Sequence, residues 1–276
     1  MDLVIQGTEI ETPDLKALAK LAGASAIEAI TPTAFRLREA TPNPAIPPYC
    51  EGAQLDYAFV PEARKLADMR LCVMDMDSTL ITIECIDEIA DMQGLKPQVA
   101  AITAAAMRGE LDFPQSLRRR VALLSGLNAS ALQRVYDARL RLSPGADVML
   151  AKFRQLGIRT LLLSGGFTFY TERLQQRLGL DYTRSNTLEI KDGKLTGQVV
   201  GDIVDADVKR LALLQVRDEL GIDAAQIVAL GDGANDLKFM AEAGVSIAYH
   251  AKPVVRAQAT HALNYVGLDG VLNLFN

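Results

Sequence analysis

The feature that most constrains this chain is a short apolar run that ends in two carboxylates. The run covers Leu71–Met74, and the residues after it are Asp75, Met76, Asp77, Ser78 and Thr79. A short apolar run bounded by polar residues is typical of a buried strand. Because the crevice of an open parallel sheet lies beyond the carboxyl ends of its strands, we expect Asp75 and Asp77 at the rim of a crevice.

Two carboxylates this close repel each other. At about 4 Å near a protein surface, the repulsion is on the order of 4 kcal/mol. A divalent cation such as Mg2+ relieves it, and so does a proton held by one of the two groups. Either solution indicates chemistry at Asp75 and Asp77. The motif alone leaves open the alternative of a strand end with two solvated aspartates.

The composition excludes several classes of protein. The 276 residues carry a net charge of −5, and the only dense basic run is Arg118–Arg120, so we expect no nucleic-acid partner. No apolar stretch reaches the roughly 18 residues of a membrane-spanning helix, and no signal peptide is visible. Three scattered cysteines favour a reducing cytosol, which predicts a cytoplasmic protein. With two histidines in the chain, acid–base chemistry is expected to use carboxylates.

The first 68 residues predict a small α+β accessory domain. Leu3–Ile5 is typical of a strand, and Thr12 and Pro13 predict the start of a helix that ends before Gly23. The proline cluster at 41–48 is predicted to be neither helix nor central strand. Residues 61–68 are predicted to form a helix that leads into a second domain at 69–276.

The second domain predicts an α/β fold with a parallel sheet. Four helical patterns follow the first strand, and about sixty residues of helix are too long for a simple loop, so we expect a helical cap at about 81–143. Alternating strands and helices resume after Pro144. A hairpin is predicted around Asp192-Gly193.

Three predicted strands lead into polar or glycine-rich segments, at 75–79, 164–166 and 231–236. Right-handed crossovers bring the carboxyl ends of parallel strands to one edge of the sheet. Asp75, Asp77 and Asp232 would offer oxygen ligands to a cation. Ser164 and the N–H groups of two glycines would hold phosphate oxygens, and Lys209 would neutralise them. Taken singly, each residue also has a plain structural explanation as a turn, a helix cap or a solvated side chain.

These motifs resemble, in order and spacing, those of the haloacid dehalogenase superfamily of phosphatases. The resemblance is closer still to its phosphoserine phosphatase family, through stretches at 84–90, 107–113, 116–121 and 164–167. It runs from about Leu71 to the C-terminus. The N-terminal segment resembles the extra, ACT-like domain of bacterial members. The resemblance implies a Rossmann-like core with a cap.

The resemblance also implies roles for residues. Asp75 would be the nucleophile that forms an aspartyl-phosphate, and Asp77 would be the general acid and base. Mg2+ would be held by Asp75, Asp77 (through its backbone carbonyl) and Asp232. The phosphate would be bound by Ser164, Gly165, Lys209 and Asn235. Asp236 would be a supporting residue that orients the water shell of the metal or Lys209.

For the remainder of the substrate, the resemblance assigns Glu84 to the α-ammonium group and Arg120 to the α-carboxylate. The expected reaction is Mg2+-dependent hydrolysis of O-phospho-L-serine to L-serine and phosphate, the last step of serine biosynthesis. The alternatives are a phosphotransferase, a phosphatase for another small phosphomonoester, and a non-catalytic amino-acid-sensing protein. The sequence leaves open whether the protein is a homodimer.

Overall fold

The structure is a computed structural model that describes residues 1–276. The chain divides into two compact units. One unit contains Met1–Cys72, Ser143–Arg159 and Gly221–Asn276. The other contains Val73–Leu142 and Thr160–Leu220. No helix is long and apolar enough to cross a membrane.

The first unit begins with a four-stranded antiparallel sheet. Its elements are β1 (Asp2–Gln6), α1 (Thr12–Ala22), β2 (Ala26–Thr31), β3 (Ala34–Arg38), α2 (Ile46–Gly52) and β4 (Asp56–Val60). The strand order is β2-β3-β1-β4. This βαββαβ connection is the ferredoxin-like arrangement. Leu3, Ile5 and Leu37 of the sheet form an apolar core with Leu15 and Leu18 of α1, since alternate strand residues share a face.

Two expectations for this region were wrong. Helix α2 starts inside the proline cluster, because Pro47 and Pro48 occupy its first turn, where the N–H that proline lacks has no partner within the helix. The predicted connecting helix at 61–68 is only a short 3-10 turn, Leu66–Asp68.

The other face of the small sheet holds the C-terminal segment, residues 264–276. Gln6 donates a hydrogen bond from Nε2 to the carbonyl of Gly270 at 3.2 Å. Arg36 donates from Nη2 to the carbonyls of Asn273 and Phe275. The carboxylate of Asp56 accepts four hydrogen bonds, from the backbone N–H groups of residues 264, 265 and 266 and from the side-chain amide of Asn264. We call Gln6, Arg36, Asp56 and residues 264–276 the dock.

The larger sheet has seven strands. They are β5 (Leu71–Asp75), β6 (Arg159–Phe167), β7 (Tyr182–Lys191), β8 (Lys194–Val200), β9 (Ile227–Gly231), β10 (Val245–Tyr249) and β11 (His261–Leu263). Their order is β11-β10-β9-β5-β6-β7-β8. The pairs β6/β7, β9/β10 and β10/β11 are parallel, and β7/β8 is the predicted antiparallel hairpin. All five residues of β5 are buried.

Four helices follow β5 and form the predicted cap, at α3 (Cys85–Asp91), α4 (Lys96–Met107), α5 (Phe113–Ala122) and α6 (Ser130–Ala138). The N-terminus of α5 is fixed by a capping box, in which Asp112 accepts a bond from the N–H of Gln115. The remaining helices are α7 (Ala146–Gln155), α8 (Thr168–Leu178), α9 (Ala206–Leu220), α10 (Leu237–Met240) and α11 (Pro253–Arg256). The predicted fold class is confirmed: an α/β core, a cap after its first strand, and a small N-terminal α+β region.

Candidate active site

A buried ion pair lies at the end of β5. Asp75 is the last residue of this strand, and Lys209 is the fourth residue of α9. Nζ of Lys209 donates to Oδ1 of Asp75 at 2.5 Å, and Lys209 is 1 % exposed and Asp75 5 % exposed. Lysine is rarely buried unless it is paired. The pair therefore fixes a cation beside the carboxylate that the sequence predicts as nucleophile.

The turn Met76–Leu80 directs Asp77 toward the first cap helix. Ser78 adopts a left-handed backbone with φ 56°, and its N–H donates to the carbonyl of Ile83. The carboxylate of Asp77 accepts a hydrogen bond from the N–H of Cys85 at 3.0 Å. Burial, and then the negative charge of Glu84, raises the pKa of Asp77 to about 7. A carboxyl group with this pKa can exchange a proton near neutral pH.

The predicted phosphate-binding segment is part of a strand. The sequence predicted a strand over residues 159–163 that ends in Ser164–Gly166, followed by a helix from about Thr168. The strand instead continues to Phe167, whereas α8 begins at Thr168 as predicted. Oγ of Ser164 accepts a hydrogen bond from the N–H of Gly166 at 2.8 Å. Ser164 is fully buried.

Side chains of the site approach both glycines closely. A Cβ atom on Gly165 would lie 2.8 Å from the ring of Phe113, the first residue of α5. A Cβ atom on Gly166 would lie 2.8 Å from Oδ2 of Asp77 and 2.9 Å from Oγ of Ser164. The strand end with Ser164 therefore lies directly against Asp77, as the sequence predicted.

The loop after β9 is organised by Asp236. Its Oδ2 accepts hydrogen bonds from the N–H groups of Asp232 and Gly233, each at 3.2 Å. Its Oδ1 accepts from the side-chain amide of Asn235 at 3.0 Å. Asp236 is fully buried, whereas Asn235 is exposed. Asp236 thus fixes the backbone on both sides of Asp232.

Two carboxylates of the first unit could hold a cation. Asp232 and Asp236 each offer one oxygen, and these oxygens lie within 4.8 Å of each other. Carboxylate oxygens are the hard ligands that Mg2+ prefers, so the donor set fits this ion. The sequence predicted Asp75 and Asp232 as carboxylate ligands and Asp77 through its carbonyl. The cluster adds the carboxylate of Asp236.

The two residues predicted to select the substrate lie in or beside the cap. Arg120 is on α5, and its buried Nε has no hydrogen-bond partner. Burial lowers the pKa of Arg120, and the nearby charges of Asp87, Glu84 and Asp77 oppose this shift. Glu84 is exposed and accepts a hydrogen bond from Oγ of Ser78 at 2.7 Å. An unpartnered buried guanidinium N–H suits an incoming carboxylate.

Comparison with known proteins identifies the family. The family model of haloacid dehalogenase-like hydrolases matches residues 72–241. The chain belongs to the haloacid dehalogenase-like hydrolase family. A further model, a domain of unknown function, matches residues 3–46.

Relatives within the haloacid dehalogenase-like hydrolases resemble most of this chain. A protein of Polaromonas named phosphoserine phosphatase is 56 % identical over 215 residues, which cover 76 % of this chain and 91 % of that protein. One from Albidiferax ferrireducens with the same name is 52 % identical over 79 % of this chain and 93 % of its own length. The crystal structure of a probable phosphoserine phosphatase from Vibrio cholerae matches with a TM-score of 0.87 and 38 % identity, covering 99 % of this chain and 85 % of that one.

One residue near the site was missed by sequence reasoning. Asn186 of β7 is 1 % exposed and bonds to the strand end that carries Ser164. Its position before the hairpin resembles that of any polar strand residue, so no local pattern marks it.

Proposed function

We propose that this protein is a phosphoserine phosphatase, which hydrolyses O-phospho-L-serine to L-serine and phosphate in the last step of serine biosynthesis. The observation that carries the proposal is the buried Asp75–Lys209 pair at the end of β5. The names of the Polaromonas and Albidiferax relatives support the substrate. The partner in this function is thus a small molecule.

In this proposal Asp75 is the nucleophile. One of its carboxylate oxygens attacks phosphorus, the bond to the seryl oxygen breaks, and an aspartyl-phosphate forms. A carboxylate is ionised at neutral pH and needs no base to activate it. Lys209 beside it would hold Asp75 in place and attract the phosphoryl oxygens.

Asp77 is proposed as the general acid and then the general base. With its pKa near 7, it can carry the proton that the departing seryl oxygen takes. The resulting carboxylate then accepts a proton from the water that hydrolyses the aspartyl-phosphate. The two aspartates divide the work because one is paired with Lys209 and the other faces Glu84.

Mg2+ is the proposed cofactor, held by the carboxylates of Asp75 and Asp232 and the carbonyl of Asp77, with Asp236 as supporting residue. When bound, it supplies positive charge that screens the phosphate from the nucleophile. Ser164, Gly165, Lys209 and Asn235 are proposed to bind the phosphate. Glu84 and Arg120 are proposed to bind the α-ammonium and the α-carboxylate.

The direct test is phosphate release from O-phospho-L-serine by purified protein. We expect turnover with Mg2+ present, and none after the metal is removed by EDTA and the protein is exchanged into metal-free buffer. The comparison substrates are phosphothreonine, phosphoglycolate and p-nitrophenyl phosphate. Faster turnover of any of these would assign the site to another phosphomonoester, and no turnover of any at saturating Mg2+ would reject the proposal.

Substrate choice is tested at Arg120. Removing its bidentate contact with Arg120→Ala should lower kcat/KM for phosphoserine about 100-fold, on the order of 2.7 kcal/mol. The rate with p-nitrophenyl phosphate, which has no carboxylate, should change less than threefold. Arg119→Ala, one residue earlier on the same helix and exposed, is the control. An equal loss on both substrates would show that Arg120 does not recognise the carboxylate.

Three wider predictions accompany the proposal. We propose that residues 1–68 form an accessory domain, ACT-like in type, and that residues 69–276 form the phosphatase domain with its cap at about 81–143. The three cysteines are buried and free, which supports the cytoplasm as location. A homodimer is a hypothesis that sedimentation equilibrium tests.

A further inference from the structure

We propose that Asn186 is a positioning residue that fixes the two phosphate-binding groups, Ser164 and Lys209, relative to each other. The inference rests on the proposed phosphatase function. Asn186 is 1 % exposed and lies on β7. The nitrogen and the oxygen of its side-chain amide each form a hydrogen bond with the backbone of a segment that leads into the site.

The first bond reaches the strand end of β6. Nδ2 of Asn186 donates to the carbonyl of Gly165 at 2.8 Å. The β6/β7 ladder is irregular here: it pairs Leu163 with Arg184 and next pairs Phe167 with Asn186. Four steps along β6 therefore match two along β7. The side chain of Asn186 supplies a hydrogen bond where the regular ladder is interrupted.

This bond also orients the hydroxyl of Ser164. The carbonyl of Gly165 and the N–H of Gly166 belong to the same planar peptide unit. Asn186 holds the carbonyl side, and the N–H side donates to Oγ of Ser164 at 2.8 Å. Because Oγ accepts this bond, its own hydrogen is directed elsewhere. In the proposed reaction, that hydrogen is donated to a phosphoryl oxygen.

The second bond reaches the segment before α9. Oδ1 of Asn186 accepts from the N–H of Val204 at 2.8 Å. The next residue, Asp205, caps α9: its carboxylate accepts from the N–H groups of Asp207 and Val208, and its carbonyl accepts from the N–H of Lys209. One amide thus connects the peptide behind Ser164 to the start of the helix that carries Lys209.

Two substitutions at Asn186 test its two hydrogen bonds. Asn186→Leu has a similar volume and removes the bonds to both Gly165 and Val204. Asn186→Asp keeps the acceptor for Val204, but its second oxygen then faces the carbonyl of Gly165. An aspartate can donate there only when protonated. Its function should therefore return as the pH falls, which loss of packing alone would not produce.

The control is Thr171→Val. Thr171 is fully buried on α8, and its Oγ1 shares a hydrogen bond with Oγ of Ser185, the residue before Asn186. The substitution keeps the side-chain shape and removes a partly buried hydrogen bond to the same strand, and it leaves the bonds to Gly165 and Val204 in place. It measures the effect of ordinary destabilisation in this region.

The experiment uses the full chain with Mg2+. We expect Asn186→Leu to lower kcat/KM about 100-fold for both phosphoserine and p-nitrophenyl phosphate, and to raise the inhibition constant of orthophosphate at least tenfold. Thr171→Val should stay within twofold on each measurement. The activity of Asn186→Asp relative to the unchanged protein should rise at least fivefold between pH 8 and pH 5.5.

Equal losses in Asn186→Leu and Thr171→Val, or a flat activity ratio for Asn186→Asp between pH 8 and pH 5.5, would overturn the inference. Failure of the proposed substrate is distinguishable from these outcomes. In that case the unchanged protein does not hydrolyse phosphoserine, yet Asn186→Leu still weakens orthophosphate inhibition of p-nitrophenyl phosphate hydrolysis, and the inference stands.

Discussion

Two regions of this protein bury charged side chains, and the groups around those charges differ. In the dock, the carboxylate of Asp56 is 2 % exposed and accepts four hydrogen bonds, while Arg36 donates to two carbonyls of the C-terminal segment. At the strand-end site, Asp75 lies against the ammonium of Lys209, and Asp77 lies near the negative charge of Glu84. In the dock, neutral hydrogen-bond donors surround the carboxylate of Asp56, although Arg36 also lies 3.6 Å from the carboxylate of Asp2. At the site, charged side chains face one another directly.

The difference teaches how to separate support from chemistry in a chain of this kind. A buried charge that is hydrogen-bonded to several backbone groups holds their segments together, and the fully bonded network favours one conformation of those segments. Charges of both signs crowded at a strand end shift pKa values and are typical of functional sites. We therefore expect changes in the dock to affect the free energy of unfolding, and changes at the site to affect turnover.

The largest expected effect is at Asp75. Asp75→Asn keeps the shape but removes the attacking oxygen anion, so kcat should fall at least 1000-fold, which corresponds to about 4 kcal/mol or more in activation free energy. The measurement is phosphate release at saturating substrate and Mg2+. Asp218→Asn, at an exposed aspartate that pairs with Arg217, should keep full activity. More than a few per cent of activity in Asp75→Asn would refute the nucleophile assignment.

The next effect belongs to the dock. Asp56→Ala leaves the partly buried donors of residues 264–266 without their acceptor, and the free energy of unfolding should fall by about 3 kcal/mol. The activity per folded molecule should stay within twofold. Urea unfolding and titration of active sites measure the two quantities.

Glu51→Ala is the matched control for the dock, because Glu51 is an exposed carboxylate on nearby α2. Its effect should be within about 0.5 kcal/mol. If Asp56→Ala lowered kcat as strongly as it lowered stability, the division between a supporting and a reacting region would be wrong.

Sequence reasoning located the strand ends well, because each combines a strong apolar run with a change to polar residues. The run before Asp75 and the run before Gly231 became β5 and β9. The hairpin at Asp192-Gly193 also formed as expected, since this dipeptide accepts the positive φ angles of a tight turn.

Sequence reasoning failed where distant segments decide the outcome. The strand β6 continues through Ser164–Gly166, which local pattern predicted as a turn, and Asn186 bonds to the carbonyl of Gly165 there. The dock was missed for the same reason: Asp56 and residues 264–266 are about 210 positions apart. The spacing of apolar residues in a short stretch of sequence predicts neither where a strand ends nor which distant residues form hydrogen bonds with each other.

The smallest expected effect is the pH dependence of the free energy of unfolding that comes from His261. His261 of β11 is 9 % exposed, and Nη1 of Arg64 donates to its Nε2 at 2.7 Å. Burial, and then the charge of Arg64, lowers the pKa of His261 from 6.5 to about 4. The unfolded chain therefore binds a proton between these values that the folded chain does not, so stability is lost as the pH falls from 6.5 toward 4.

Asp77 acts in the opposite sense, because its pKa is raised to about 7 and the folded chain takes up that proton first. The two contributions overlap, so the test is a difference between variants. Without metal, the free energy of unfolding of the unchanged protein minus that of His261→Gln should fall by about 2 kcal/mol from pH 7.5 to pH 5.0. Urea unfolding at the two pH values measures it. An unchanged difference would mean that the imidazole of His261 accepts a proton as readily when folded as when unfolded.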